Sequence, residues 1–191
     1  MAREEIVSSA SEELILVDEQ DREIGSQQKS ACHEGQGTLH RAFSIFVFNS
    51  NDELLLQQRS GSKPLWPLYW SNTCCSHPRL GETMEIAVSR RLSQELGFDC
   101  ALNYLYKFSY HAQFGEIGAE REFCWVYFGY FDGAIDPNIS EIADSRWIDI
   151  KSLNQELETR PDSFTPWFKL EWTHIQEHYL DAILARRELV G

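Results

Sequence analysis

The chain has 191 residues, 42% of them hydrophobic and 13% aromatic, and its 30 acidic and 17 basic side chains give a formal charge of −13. That is enough apolar material for one domain with its own core, and the acidic excess argues against nucleic acid or an anionic membrane as the main partner, since both attract clustered Lys and Arg. No apolar run approaches the roughly 18 residues of a membrane span, the start has no signal or transit character, and five unevenly spaced cysteines read as reduced thiols, so a cytoplasmic protein is expected.

Residues 1–12 are polar and acidic and read as a flexible terminal tail, with a single domain over 13–191. Glu13 to Val17 is strand-like and is followed by turn chemistry at Asp18 to Arg22, so a hairpin through Ile24 is expected. Lys29 to Leu39 shows no periodicity and reads as a loop. His40 then opens a run to Phe48 that is apolar on nearly every residue, as a strand buried on both faces would be, and Glu53 to Arg59 returns as its partner.

After a loop from Ser60 to Trp66, Thr73-Cys74-Cys75-Ser76-His77 reads as extended chain. Residues two apart in a strand share a face, so Cys75 and His77 point one way and Cys74 the other. From Gly81 the period changes: Met84, Ala87, Val88, Leu92 and Leu96 recur at helical spacing, Thr83 can cap the start, and Gly97 can end the helix. Arg91 and Glu95, four apart, are expected together on the opposite, polar face.

Tyr104 to Gln113 and Glu120 to Phe128 are further strands, the second placing Glu120 and Glu122 on one face. Arg146 to Asp149 reads as a short strand and Ile150 to Thr159 as a short helix. A long amphipathic helix is expected from Thr165 to Leu189, with Trp167, Phe168, Leu170, Ile175, Tyr179, Ile183 and Leu184 toward the core.

The metal-competent residues are His33, His40, Cys75, His77, Glu95, Glu120 and Glu122. No pair has zinc-finger spacing, so spacing alone defines no metal site. A Glu-x-Glu pair is ordinarily a strand's solvent face; here it flanks an apolar strand on which a solvated row is not required.

Five separated motifs carry a resemblance: Lys29 to His33 with LHRAFS at His40, the tract QQRSGSKPLWPLYWSNTCCSHPRLGE, the helix RRLSQELGF, AEREFCWVY, and TPW at Thr165 to Trp167. In that order, from about Glu13 to Leu170, the chain resembles type I isopentenyl-diphosphate isomerases, which are built on the Nudix hydrolase fold. The resemblance implies an α+β protein, a Nudix-like α/β/α sandwich with a mixed β-sheet. Its helix also resembles a degraded Nudix box, G-x5-E-x7-R-E-U-x-E-E-x-G-U. Glu82, Arg90, Glu95 and Gly97 match, while Ser76 replaces the first glycine and Arg91 and Gln94 replace two glutamates. Losing two carboxylates would leave a diphosphate held but water poorly activated.

The resemblance further implies that His33, His40, His77, Glu120 and Glu122 hold one divalent ion, Zn2+, Mn2+ or Mg2+, and that Cys75 and Glu122 are the acid/base pair. Glu95, with the backbone carbonyl of Cys75, would hold a Mg2+ bridging to the diphosphate. Lys29, Arg59, Lys63 and Arg91 would contact the phosphates, and Tyr110 and Trp167 would line the hydrocarbon pocket and assist catalysis. No flavin is implied, and the expected partner is a small prenyl diphosphate, taken by a monomer or weak oligomer. Two rivals stand beside this reading: a Nudix-type diphosphohydrolase, and a noncatalytic module whose His/Glu cluster binds a structural metal.

Overall fold

Strand β3 (His40–Phe48) is the axis of the fold because both of its faces carry buried apolar side chains. Phe43, Ile45 and Val47 enter one core with Leu55 and Cys74, whereas Phe46 and Phe48 enter another with Leu54 and Leu56. In this computed structural model, which describes residues 3–187, β3 pairs antiparallel with β1 (Glu13–Val17), β4 (Glu53–Arg59) and β6 (Cys74–Ser76) and parallel with β8 (Gly118–Tyr130). Strands β2 (Glu23–Gln28), β5 (Trp70–Ser71), β7 (Leu102–Phe114) and β9 (Ile142–Asp149) complete a mixed nine-stranded sheet.

Helices cover both faces. Helix α2 (Met84–Leu96) lays Met84, Ala87, Val88, Leu92 and Leu96 against the first core. It starts as the sequence predicts, with the Thr83 side chain accepting from the Ile86 amide, and ends at Gly97, whose φ of 76° suits a residue without a Cβ. On the other face lie α3 (Ile150–Thr159) and α4 (Pro166–His178), with Leu153, Phe168, Trp172 and Ile175 buried. An α/β/α sandwich results, as expected.

Four expectations are corrected. Lys29–Cys32 is not all loop but one helical turn, α1. The long last helix breaks at Tyr179 (φ −128°), giving α4 and then α5 (Leu180–Arg187), and its predicted end at Leu189 lies outside the described residues. Tyr179 leaves the helix to stack on Tyr106 at 5.4 Å, and Ile183 still reaches the core. Leu170 is exposed because the buried stripe runs Trp167, Phe168, Glu171, Trp172 and Ile175. Finally, residues 3–12 are no loose tail: Val7 is buried, and Ala10 and Glu12 accept from the amides of Ser30 and Lys29.

Candidate active site

The strand registers bring distant residues into one row. His40 of β3 is the Cα partner of Glu122 of β8, which is also the partner of Tyr110 of β7. Ser44 of β3 is the partner of Cys75, so the period-two rule carries Cys75 and His77 to this side. Cys74 goes the other way, into the core under α2. His33 follows α1, and the loop that carries it is clipped to β8 by the Ala119 amide donating to the His33 carbonyl at 2.9 Å.

The outcome is a cluster in which His33, His40, His77, Glu120 and Glu122 each offer a ligand atom within 4.8 Å of the others. The three imidazole rings lie 4.8 to 5.4 Å apart. The Nδ1 of His33 faces the Lys29 carbonyl at 2.6 Å and that of His40 faces the Thr38 carbonyl at 2.7 Å. A carbonyl only accepts, so both Nδ1 atoms carry a proton and both Nε2 atoms point inward. His33 Nε2 lies 2.8 Å from Glu120 Oε2 and His77 Nε2 2.8 Å from Glu122 Oε1, while His40 Nε2 is buried without a hydrogen-bond partner. Three imidazole nitrogens gathered against two carboxylates, one of them orphaned, are a donor set that fits a divalent cation.

The electrostatics point the same way. Burial opposes protonation of His33, but Glu120 at 2.8 Å outweighs it and raises its pKa. His77 is pushed well below the usual range by burial and then by His40 and Lys29. Glu122 is lowered despite burial, because His40 Nε2 lies 3.7 Å from it and the Tyr110 hydroxyl donates to it. Burial also pushes the Cys75 thiol up to about 12, against the pull of Arg59.

Beside the cluster opens a cavity of about 430 Å³ whose lining includes Cys75, Glu122, Tyr110 and Trp167. Cys75 and Glu122, 47 positions apart in sequence, thus face the same space. Trp167 is fixed by its indole N–H donating to Ser71 Oγ at 3.1 Å, and the Arg59 guanidinium lies 5.2 Å from its ring centroid. Lys29, Lys63 and Arg91 also line it. One chamber therefore combines aromatic side chains, a thiol, a carboxylate and several cations, a lining suited to a short anionic hydrocarbon.

Comparison with known proteins agrees with that chemistry. The NUDIX domain family matches residues 38–168. A Burkholderia multivorans protein named isopentenyl-diphosphate Delta-isomerase is 47% identical over 157 residues, covering 82% of this chain and 89% of that relative. A Photorhabdus laumondii protein named isopentenyl-diphosphate Delta-isomerase 1 is 40% identical over 176 residues, covering 90% and 99%. The chain belongs to the isopentenyl-diphosphate isomerase family. In fold it also matches the solved DR0079 protein of Deinococcus radiodurans, with TM-score 0.64, 24% identity and coverage of 78% and 90%. A MutT protein from Methanosarcina mazei Go1 gives 0.60, 15%, 73% and 94%.

In this isopentenyl-diphosphate isomerase family member, the charged residues of the Nudix-box helix are largely paired with one another. Glu82 is held by Arg90 through bonds of 2.6 and 2.7 Å, a pairing that braces the loop before α2. Arg91 and Glu95 are both buried, which corrects the expected polar face. Glu95 lies apart from the five-residue cluster, and its Oε1 accepts from Arg91 Nε at 2.9 Å and Nη2 at 2.5 Å. Packed against Glu95 and Glu141, the guanidinium has its pKa raised although burial opposes it.

Glu141 escapes the sequence reading altogether. It is buried in the turn before β9, where its carboxylate contacts both Lys63 and Arg91. An isolated glutamate in a turn carries no periodicity that would single it out. Lys29, nearby, is pushed down to about 8 by burial and then by Lys63 and Arg91.

Proposed function

We propose that the chain interconverts isopentenyl diphosphate and dimethylallyl diphosphate by moving one proton onto and another off the carbon skeleton. The observation that carries this reading is the shared chamber: Cys75 and Glu122, delivered by different strands, line one cavity with Trp167 and Tyr110, and Lys29, Lys63 and Arg91 line it too.

The double bond shifts when a proton reaches the terminal alkene carbon and another leaves the carbon next to the oxygen-bearing one, with positive charge developing on the tertiary carbon between. An unactivated alkene is a weak base, so the acid must be positioned and water kept away. Cys75 and Glu122 are the acid/base pair, and because the interconversion is reversible each acts as acid in one direction and base in the other. The Tyr110 hydroxyl, on Glu122, steadies and can relay that proton. The Trp167 face stabilises the developing cation, an interaction worth about 2 kcal/mol or more without water. Lys29, Arg59, Lys63 and Arg91 orient the diphosphate.

The divalent ion fits His33, His40, His77, Glu120 and Glu122, a donor set that admits Zn2+, Mn2+ or Mg2+, and Glu95 with the Cys75 carbonyl is the proposed seat of a diphosphate-bridging Mg2+. When bound, such ions fix Glu122, tune its proton affinity and offset phosphate charge. The working partner is the small prenyl diphosphate alone, without flavin, in a cytoplasmic monomer or weak oligomer whose single domain includes the packed segment before residue 13. Among the described residues no helix is long and apolar enough to cross a membrane.

The test is incubation with isopentenyl diphosphate, Mg2+ and a second divalent ion in deuterated water. Deuterium in dimethylallyl diphosphate is the expected result. Released phosphate without isomer would instead support the diphosphohydrolase, which Arg91 and Gln94 in place of two glutamates disfavour. Chelation should abolish turnover with the fold intact; unfolding on metal removal would support the noncatalytic module.

A further inference from the structure

The segment from Arg3 to Glu12 lies against two of the cations that line the chamber, Lys29 and Arg91. It is anchored on both sides: the Arg3 guanidinium donates to the Ser93 carbonyl at 2.7 Å, the Glu5 amide donates to Asn138 Oδ1 at 3.1 Å, and the Ala10 carbonyl accepts from the Ser30 amide at 3.0 Å. Between those anchors Val7 is buried and its carbonyl accepts from Arg91 Nη1 at 2.7 Å. The next residue, Ser8, places its Oγ 2.5 Å from Lys29 Nζ and lines the cavity. Two of the cations assigned to the diphosphate are thus held by consecutive residues of this segment.

We propose that Ser8 is a further substrate-binding residue, donating its hydroxyl to a phosphate oxygen of the diphosphate while holding Lys29 in place. This rests on the isomerase reading above. An ammonium group has only donors, so in its contact with Lys29 the Ser8 oxygen must accept. Its own hydrogen is left free to turn into the cavity, toward the space between Lys29 and Arg91. An anion seated there accepts from the hydroxyl and from both cations at once, and charge-assisted bonds of this kind are the stronger ones.

The experiment compares wild type, Ser8→Ala, Ser8→Thr and, as a control in the same segment, Ile6→Ser, whose side chain is exposed. Steady-state turnover of isopentenyl diphosphate is measured together with calorimetric binding of inorganic pyrophosphate. Ser8→Ala should raise KM about tenfold and weaken pyrophosphate binding similarly, the size of one lost hydrogen bond to a charged group, with kcat within about twofold. Ser8→Thr, which keeps a hydroxyl, should recover most of the affinity, and Ile6→Ser should match wild type. Unchanged KM and pyrophosphate affinity in Ser8→Ala, or a loss confined to kcat, would overturn the assignment. A wild-type protein that binds pyrophosphate through Ser8 but forms no dimethylallyl diphosphate would sink the isomerase reading and leave the phosphate site standing.

Discussion

The Tyr110 hydroxyl donates to Glu122 Oε2 at 2.6 Å across a directly paired position of β7 and β8, both residues buried. Burial and the neighbouring Glu122 raise the phenol's pKa well above its ordinary value, so it stays a donor. Tyr110→Phe keeps the ring and deletes the donor. We expect kcat to fall on the order of 10²-fold, in the range typical of a positioned acid/base group, with KM for isopentenyl diphosphate little changed. A parallel loss of deuterium incorporation checks it; unaltered kcat would reduce Tyr110 to wall filling.

The neighbouring cysteines separate by face. Cys75 lines the chamber, whereas Cys74 is fully buried under α2. Cys75→Ala should abolish turnover and retain bound metal, measured by elemental analysis. Cys74→Ala should keep most activity and lower thermal stability modestly, because it removes one buried sulfur from a packed core. Equal loss of activity in both would contradict the strand register.

Gly118 permits the approach of the metal cluster's loop. A Cβ built there meets the His33 carbonyl backbone, which cannot yield as a flexible side chain could. Gly118→Ala should therefore displace His33 from Glu120 and weaken divalent-metal affinity roughly 10- to 100-fold, the usual cost of disturbing the support of a ligand. Competition titration with a chelating dye reads this directly. Wild-type affinity would show that His33 is dispensable to the site.

Glu171 on α4 is fully buried, touched by Cys124 Sγ at 3.5 Å, with its Oε2 unpartnered. Burial, only partly offset by Ser44 and Cys124, pushes its pKa up to about 8. Between the unfolded-state value and that one, the unfolded chain has released a proton that the folded chain retains. Stability therefore falls as pH rises across this window and levels off above it. Glu171→Gln should remove the slope, gaining on the order of a few kcal/mol over wild type near pH 8 and little near pH 4. Chemical denaturation at several pH values measures the difference; parallel curves would show that Glu171 is ionised in the fold.

Much of this was legible in one dimension. The near-continuous apolar run from His40 to Phe48 announces a strand buried on both faces, and the period-two rule puts Cys75 with His77 and Glu120 with Glu122. The spacing from Met84 to Leu96, with Thr83 and Gly97 at its ends, defines α2. These features depend on neighbours a few residues away, which is the range over which backbone geometry sets direction.

What surrounds a face is decided by segments remote in sequence. Arg91 and Glu95 lie on the polar side of their helix, yet residues near Val7 and Glu141 cover that side and bury them. The terminal segment has no periodicity, and its placement comes from single hydrogen bonds to Arg91, Lys29 and Asn138. Leu170, expected toward the core, is exposed while Trp172 is buried, because the sheet, not the helix's own composition, selects which stripe of α4 is covered. Local pattern thus determined which way each side chain points, and tertiary packing determined whether it meets water, a cation or the core, because that depends on contacts the chain makes only after it folds.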